Sequence, residues 1–94
     1  MLLALDYDDT YTRDPIFWDS VISLATQRGH SVICVTMRED VPHEANEVRE
    51  ALAHQVEEII FTNRKAKYKH VCDKGYYMSV WVDDNPHFVH MDAQ

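Results

Sequence analysis

Four short apolar runs, each stopping at a residue that carries an oxygen or a charge, limit what this chain can fold into. Leu2-Leu3-Ala4-Leu5 stops at Asp6, and Ser31-Val32-Ile33-Cys34-Val35 stops at Thr36. Glu57 to Phe61 stops at Thr62, and Met78-Ser79-Val80-Trp81-Val82 stops at Asp83-Asp84. Continuous runs this short read as strands covered on both faces, the habit of parallel sheets. Helical stretches lie between them. Asp14-Pro15 supplies an N-cap and a proline at the first helical position, with Gly29 placed to end that helix. Phe17, Val21, Leu24 and Ala25 are its expected buried stripe.

Pro42 opens a second helix through about His54, with Ala45, Val48 and Leu52 on the apolar side. Lys65 to Lys74 reads as a third, closed by Gly75. Asn85 to Gln94 is a turn plus a short segment, from which any fifth strand would have to come. Strand and helix alternate throughout, so the fold class is α/β with right-handed crossovers. With 94 residues and no repeat or linker, one domain spanning 1–94 is expected. A chain of this size buries little more than ~60% of its unfolded surface, which leaves no material for large insertions.

Composition narrows the function classes. Nine basic against 16 acidic residues give a net charge of −7, a poor match for long nucleic acid or an anionic membrane. A basic strip, Arg64 to Lys69, could still meet one phosphate-rich end. Cys34 and Cys72 are too few for a disulfide framework and read as small packing residues. No run is long enough to span a membrane and Met1 to Leu5 is too short for a signal peptide, so the chain is read as cytoplasmic. His87 and His90 lack the further ligands that zinc needs, and His43 and His54 sit on a helix surface.

In open parallel sheets, ligands bind at the carboxyl ends of the strands. That edge here gathers Asp6 and Asp8, Thr36, Asp83 and Asp84, and the lysines Lys65, Lys67 and Lys69. Crowded carboxylates repel one another unless a cation sits among them, and hard oxygen ligands favour magnesium. A metal beside an ammonium and a hydroxyl can cradle a phosphoryl group. One carboxylate can then attack phosphorus while another moves the proton of the leaving oxygen. An EF-hand does not fit, because Tyr11 stands at the glycine position and Phe17 at the closing glutamate. A phosphoacceptor receiver does not fit either, because its phosphorylated aspartate ends the third strand, which here ends at Thr62.

Asp6-Tyr7-Asp8-Asp9-Thr10 after an apolar strand resembles the first motif, DxDxT, of the haloacid dehalogenase-like (HAD) superfamily. Thr36 after Val32-Ile33-Cys34-Val35 is similar to the second motif, and Asp83-Asp84 after Val80-Trp81-Val82 to the fourth. Lys67 stands for the third-motif lysine, with Lys65 as competitor. The ordered set covers nearly the whole chain and resembles the short capless forms found among phage-type members.

The resemblance implies a minimal three-layer Rossmannoid domain, strand order 3-2-1-4, without a cap. It implies Asp6 as nucleophile, Asp8 as general acid/base, Thr36 on the phosphoryl oxygens, and Lys67 offsetting charge. Asp6, the backbone carbonyl of Asp8, and Asp83 would hold Mg²⁺, with Asp84 in support. The reaction implied is magnesium-dependent hydrolysis of a phosphomonoester through an aspartyl-phosphate; a phosphotransferase uses the same residues. A non-catalytic module that binds phosphate or a protein is the rival reading. Thr10 to Arg13 leaves room only for a tight turn, so the site is open. An open site suits a large or polymeric phosphorylated substrate, or a lid from a partner subunit, and a thin sheet edge suits a homodimer.

Overall fold

The strands all run parallel, and their order places the first and the last side by side. In the computed structural model, which describes residues 1–94, the order of elements is β1 (Leu2–Leu5), α1 (Pro15–Gln27), β2 (Ser31–Thr36), α2 (Pro42–Leu52), β3 (Glu58–Phe61), α3 (Lys67–Asp73), β4 (Val80–Val82) and α4 (His87–His90). A single 3₁₀ turn at Tyr11–Arg13 links β1 to α1. The sheet reads β3-β2-β1-β4, the expected order, with Leu5 paired to Cys34 on one side and to Val82 on the other.

Side-chain alternation divides the core between the two faces. On one face Leu5, Val32 and Cys34 pack with Ile22 and Ala25 of α1 and Val48 and Leu52 of α2. On the other, Ala4, Ile33, Val35 and Ile60 pack with Val71 of α3, flanked by Tyr76, Met78 and Trp81. That alternation within continuously apolar strands is why both faces are covered. Burial pushes the Cys34 thiol up to about 12, so it behaves as a packing group. No helix is long and apolar enough to cross a membrane.

The first helix starts as its sequence predicts: the Asp14 carboxylate accepts from Phe17 N at 3.2 Å, and Gly29 takes φ +84° beyond the last turn. Its buried face differs from the expected one. Ile22 and Ala25 are buried and Trp18 packs against them, whereas Phe17 is 52% and Leu24 60% exposed. Apolar residues cover most of the circumference of this helix, so composition alone leaves its rotation open. The rotation is fixed by Asp19, whose Oδ1 accepts from Tyr11 Oη and Gln55 Nε2, both at 2.7 Å. Two further boundaries moved. The third helix begins at Lys67 because Asn63 and Arg64 adopt positive φ and Ala66 is extended. The tail forms the short helix α4, and no fifth strand.

This rotation makes a direct prediction. Ile22→Ala should cost roughly 2–5 kcal/mol of unfolding free energy in urea, and Leu24→Ala less than about 0.5 kcal/mol. The reverse ranking would mean that α1 packs through its Phe17–Leu24 face.

Candidate active site

The backbone brings the acidic groups together before any side chain acts. Asp6 N donates to Val82 O at 2.9 Å, carrying the β1–β4 ladder one step beyond the strands. Asp6 and Asp83 therefore leave adjacent strands at the same level. On the other side, Thr62 N donates to Thr36 O at 2.8 Å, so the β2 and β3 ends are level too. The turn after β3 then delivers Lys67, the first residue of α3, into the interior at 2% exposure.

Lys67 Nζ donates to Asp6 Oδ1 at 2.8 Å and to Asp83 Oδ2 at 2.6 Å, so one ammonium joins two carboxylates. Thr10 joins the other oxygens. Its hydroxyl lies 3.1 Å from Asp6 Oδ2 and 3.3 Å from Asp84 Oδ1, and it accepts from Asp84 N at 3.1 Å. Asp83 Oδ1 is held by the Asn85 amide at 3.0 Å. Asp6, Asp83 and Asp84 each offer a carboxylate oxygen, and these oxygens lie within 4.8 Å of one another. Asp6 is buried, Asp83 half-buried and Asp84 exposed, so the cluster opens outward on one side.

Charge follows from this packing. Burial pushes the Asp6 carboxyl from 3.8 up to about 7; Lys67 pulls it back, while Asp84 and Asp83 push it further up. Burial also acts against the Lys67 ammonium, but Asp6 and Asp83 outweigh it and hold its pKa above the ordinary value. Lys67 thus stays charged at neutral pH, while the Asp6 carboxyl lies close to its own midpoint there. Three carboxylates against one ammonium leave the cluster short of positive charge. An all-oxygen donor set of this kind fits a hard divalent cation.

Asp8 points elsewhere. Both its oxygens accept from Arg38, Nε at 3.0 Å and Nη2 at 2.8 Å, in a bidentate pair. Arg38 also donates to Glu44 O at 2.8 Å, pairs with Glu47 at 3.0 Å and lies over the Tyr7 ring at 5.0 Å. Thr36 is buried at the end of β2, where its Oγ1 accepts from Arg38 N at 3.3 Å. Asp6, Asp8, Thr36, Arg38, Arg64 and Lys67 all line one cleft of about 300 Å³, completed by Asp83, Asp84 and Phe88 among others.

The structure therefore gathers Asp6, Thr36, Lys67, Asp83 and Asp84 as their positions in the sequence suggested, with Asp8 in the same cleft but outside the acidic cluster. Lys67 rather than Lys65 enters it; Lys65 is exposed, 3.9 Å from Asp92. Sequence reasoning assigned no role to Thr10 or Arg38, nor to Phe88. Arg38 left a readable signal, since it lies two residues beyond Thr36 at the same edge of the sheet. Phe88 left none, because four helical residues carry no usable periodicity. No protein-family model, curated protein or solved structure matches the chain.

A carboxyl whose folded pKa stands above its unfolded one takes up a proton on folding. The stabilisation is complete below about pH 4 and is lost as the pH rises through about 7. Asp6→Asn removes that loss. With divalent cations chelated, its stability relative to the wild type should rise by on the order of 2 kcal/mol from about pH 5 to about pH 8. Thermal or urea unfolding across that range measures it. A difference that does not change with pH would show that Asp6 does not titrate near neutrality.

Proposed function

We propose that this chain is a magnesium-dependent phosphomonoester hydrolase of the haloacid dehalogenase-like type, with Asp6 as its nucleophile. The observation that carries the reading is the buried Asp6 carboxylate, bonded to the Lys67 ammonium and clustered with Asp83 and Asp84 at the carboxyl edge of a parallel sheet. Asp6, Asp83 and Asp84 would hold Mg²⁺. The bound ion would supply positive charge to the phosphoryl oxygens and keep Asp6 ionised near neutral pH.

The residues of the chain do the rest. An oxygen of Asp6 attacks phosphorus and the ester P–O bond breaks, leaving an aspartyl-phosphate. Asp8 gives a proton to the leaving oxygen, then takes one from the water that attacks the phosphoryl group. Inorganic phosphate leaves and the Asp6 carboxylate is restored. Lys67, already within 2.8 Å of Asp6, offsets the charge that gathers between nucleophile and phosphoryl oxygens. Thr36, at the cleft wall, offers its hydroxyl to those oxygens. Arg38 must loosen its hold on Asp8 for the proton transfers, and an arriving phosphoryl group competes for the same guanidinium. Transfer to an acceptor other than water would use the same groups.

A non-catalytic phosphate-binding module is the second reading. It is favoured by one observation, that both Asp8 oxygens are taken by Arg38. Hydrolysis of an aryl phosphate with and without magnesium separates the two. The enzyme reading expects turnover that needs magnesium. It also expects a loss of at least ~1,000-fold in Asp6→Asn and of ~100- to 10,000-fold in Asp8→Asn. Full metal-dependent turnover in Asp6→Asn would falsify the nucleophile assignment. Phosphate binding without turnover in the wild type would favour the module.

A further inference from the structure

Of the three cations in the cleft wall, two are fully engaged. Lys67 is held by Asp6 and Asp83, and Arg38 by Asp8, Glu47 and the Glu44 carbonyl. Arg64 is not. Its guanidinium rests on Glu44 alone, through two contacts of 3.4 Å each, with the side chain 45% exposed. Contacts that long between exposed groups hold an arginine weakly. Glu44 also has a better partner, accepting from Glu39 N at 2.8 Å.

The Arg64 backbone is the opposite of loose. Its N–H donates to Met37 O at 2.8 Å, and its carbonyl accepts from Ala93 N at 2.7 Å. One residue thus joins the loop after β2, the loop after β3 and the tail. Nearby, Asp92 Oδ1 accepts from Ala66 N at 2.6 Å, which fixes the tail against the turn that delivers Lys67. Arg64 holds this position at φ +65°, directly after Asn63 at φ +52°. Glycine meets that conformation without strain and asparagine tolerates it, whereas arginine is strained there. A turn alone is better served by glycine, so what arginine adds is its side chain, set on a clamped backbone in the wall of the cleft.

The geometry points to Arg64 as the specificity residue of this cleft, receiving a second phosphate on the substrate while Asp6 and Lys67 engage the reacting one. The preferred substrates are phosphomonoesters that carry a further phosphate group. The inference rests on the phosphatase reading for the identity of the reacting phosphate. The chemistry of the second is that of a planar guanidinium fork, which pairs with phosphate through two parallel bonds. The reacting phosphate falls to the deeper groups, since Lys67 is buried and bonded to Asp6 whereas Arg64 is partly exposed.

The test compares alkanediol bisphosphates of increasing chain length with alkyl monophosphates of the same length, in the presence of magnesium. The quantity read is the bisphosphate-to-monophosphate ratio of kcat/KM, in which a general loss of activity cancels. The wild type should show a ratio of roughly 10- to 100-fold at one optimum length, carried by KM. Arg64→Gly should bring that ratio close to one with a Tm equal to or above that of the wild type, because the backbone strain is removed. Arg64→Lys should keep part of the ratio. A wild-type ratio near one at every length, or a ratio that survives Arg64→Gly, would overturn the inference. If neither ester is hydrolysed, the phosphatase reading fails separately. Calorimetric affinities of wild type and Arg64→Gly for the same two series then decide the Arg64 subsite, with the same two outcomes.

Discussion

Burying an ammonium is costly unless carboxylates meet it, and Lys67 meets two of them at bonding distance. Removing one partner from such a group leaves a charge stranded in a poor solvent, so Lys67, Asp6 and Asp83 stand or fall together. Desolvation acts against both Lys67 and Asp6. The Asp6 carboxyl is displaced to about 7, while Lys67 keeps its proton. A small domain has little stability to spare for an arrangement of this kind. Its presence at the sheet edge, rather than an apolar plug, is what gives the cleft its chemistry.

The sheet order supplies the geometry for that interaction. Because β4 lies beside β1, residues 76 positions or more apart leave the sheet together: Leu5 pairs with Val82, and Asp6 N bonds to Val82 O. Thr10 then fastens the two loops by bonding to Asp6 and Asp84 at once. The short β1–α1 connection has its own anchor, with Tyr7 and Tyr11 stacked at 5.7 Å and the Tyr11 hydroxyl on Asp19. The tail contributes Phe88 and Ala93 to the cleft wall.

Much of this was legible in the sequence, for local reasons. Strand runs such as Leu2–Leu5 are continuous and apolar, and helix starts such as Asp14-Pro15 carry their own caps. The acids at strand ends could be placed at one edge because parallel strands all point the same way. What escaped depends on distant partners. The Arg38–Asp8 pair joins residues 30 apart, and no local pattern announces it. The buried face of α1 leaves out Phe17 and Leu24 because Asp19, a polar residue, sets the helix rotation through Tyr11 and Gln55. The start of α3 falls two residues later than the sequence suggests because Asn63 and Arg64 both take positive φ, which asparagine tolerates but arginine rarely adopts.

The central claim is that Asp6 itself becomes phosphorylated. Incubation with acetyl phosphate and magnesium, followed by borohydride reduction and peptide mass spectrometry, tests it directly, because reduction turns an acyl phosphate into homoserine. The account predicts homoserine at position 6, dependent on magnesium and missing from Asp6→Asn. Homoserine at another aspartate, or none in a protein that turns over phosphomonoesters, would contradict it.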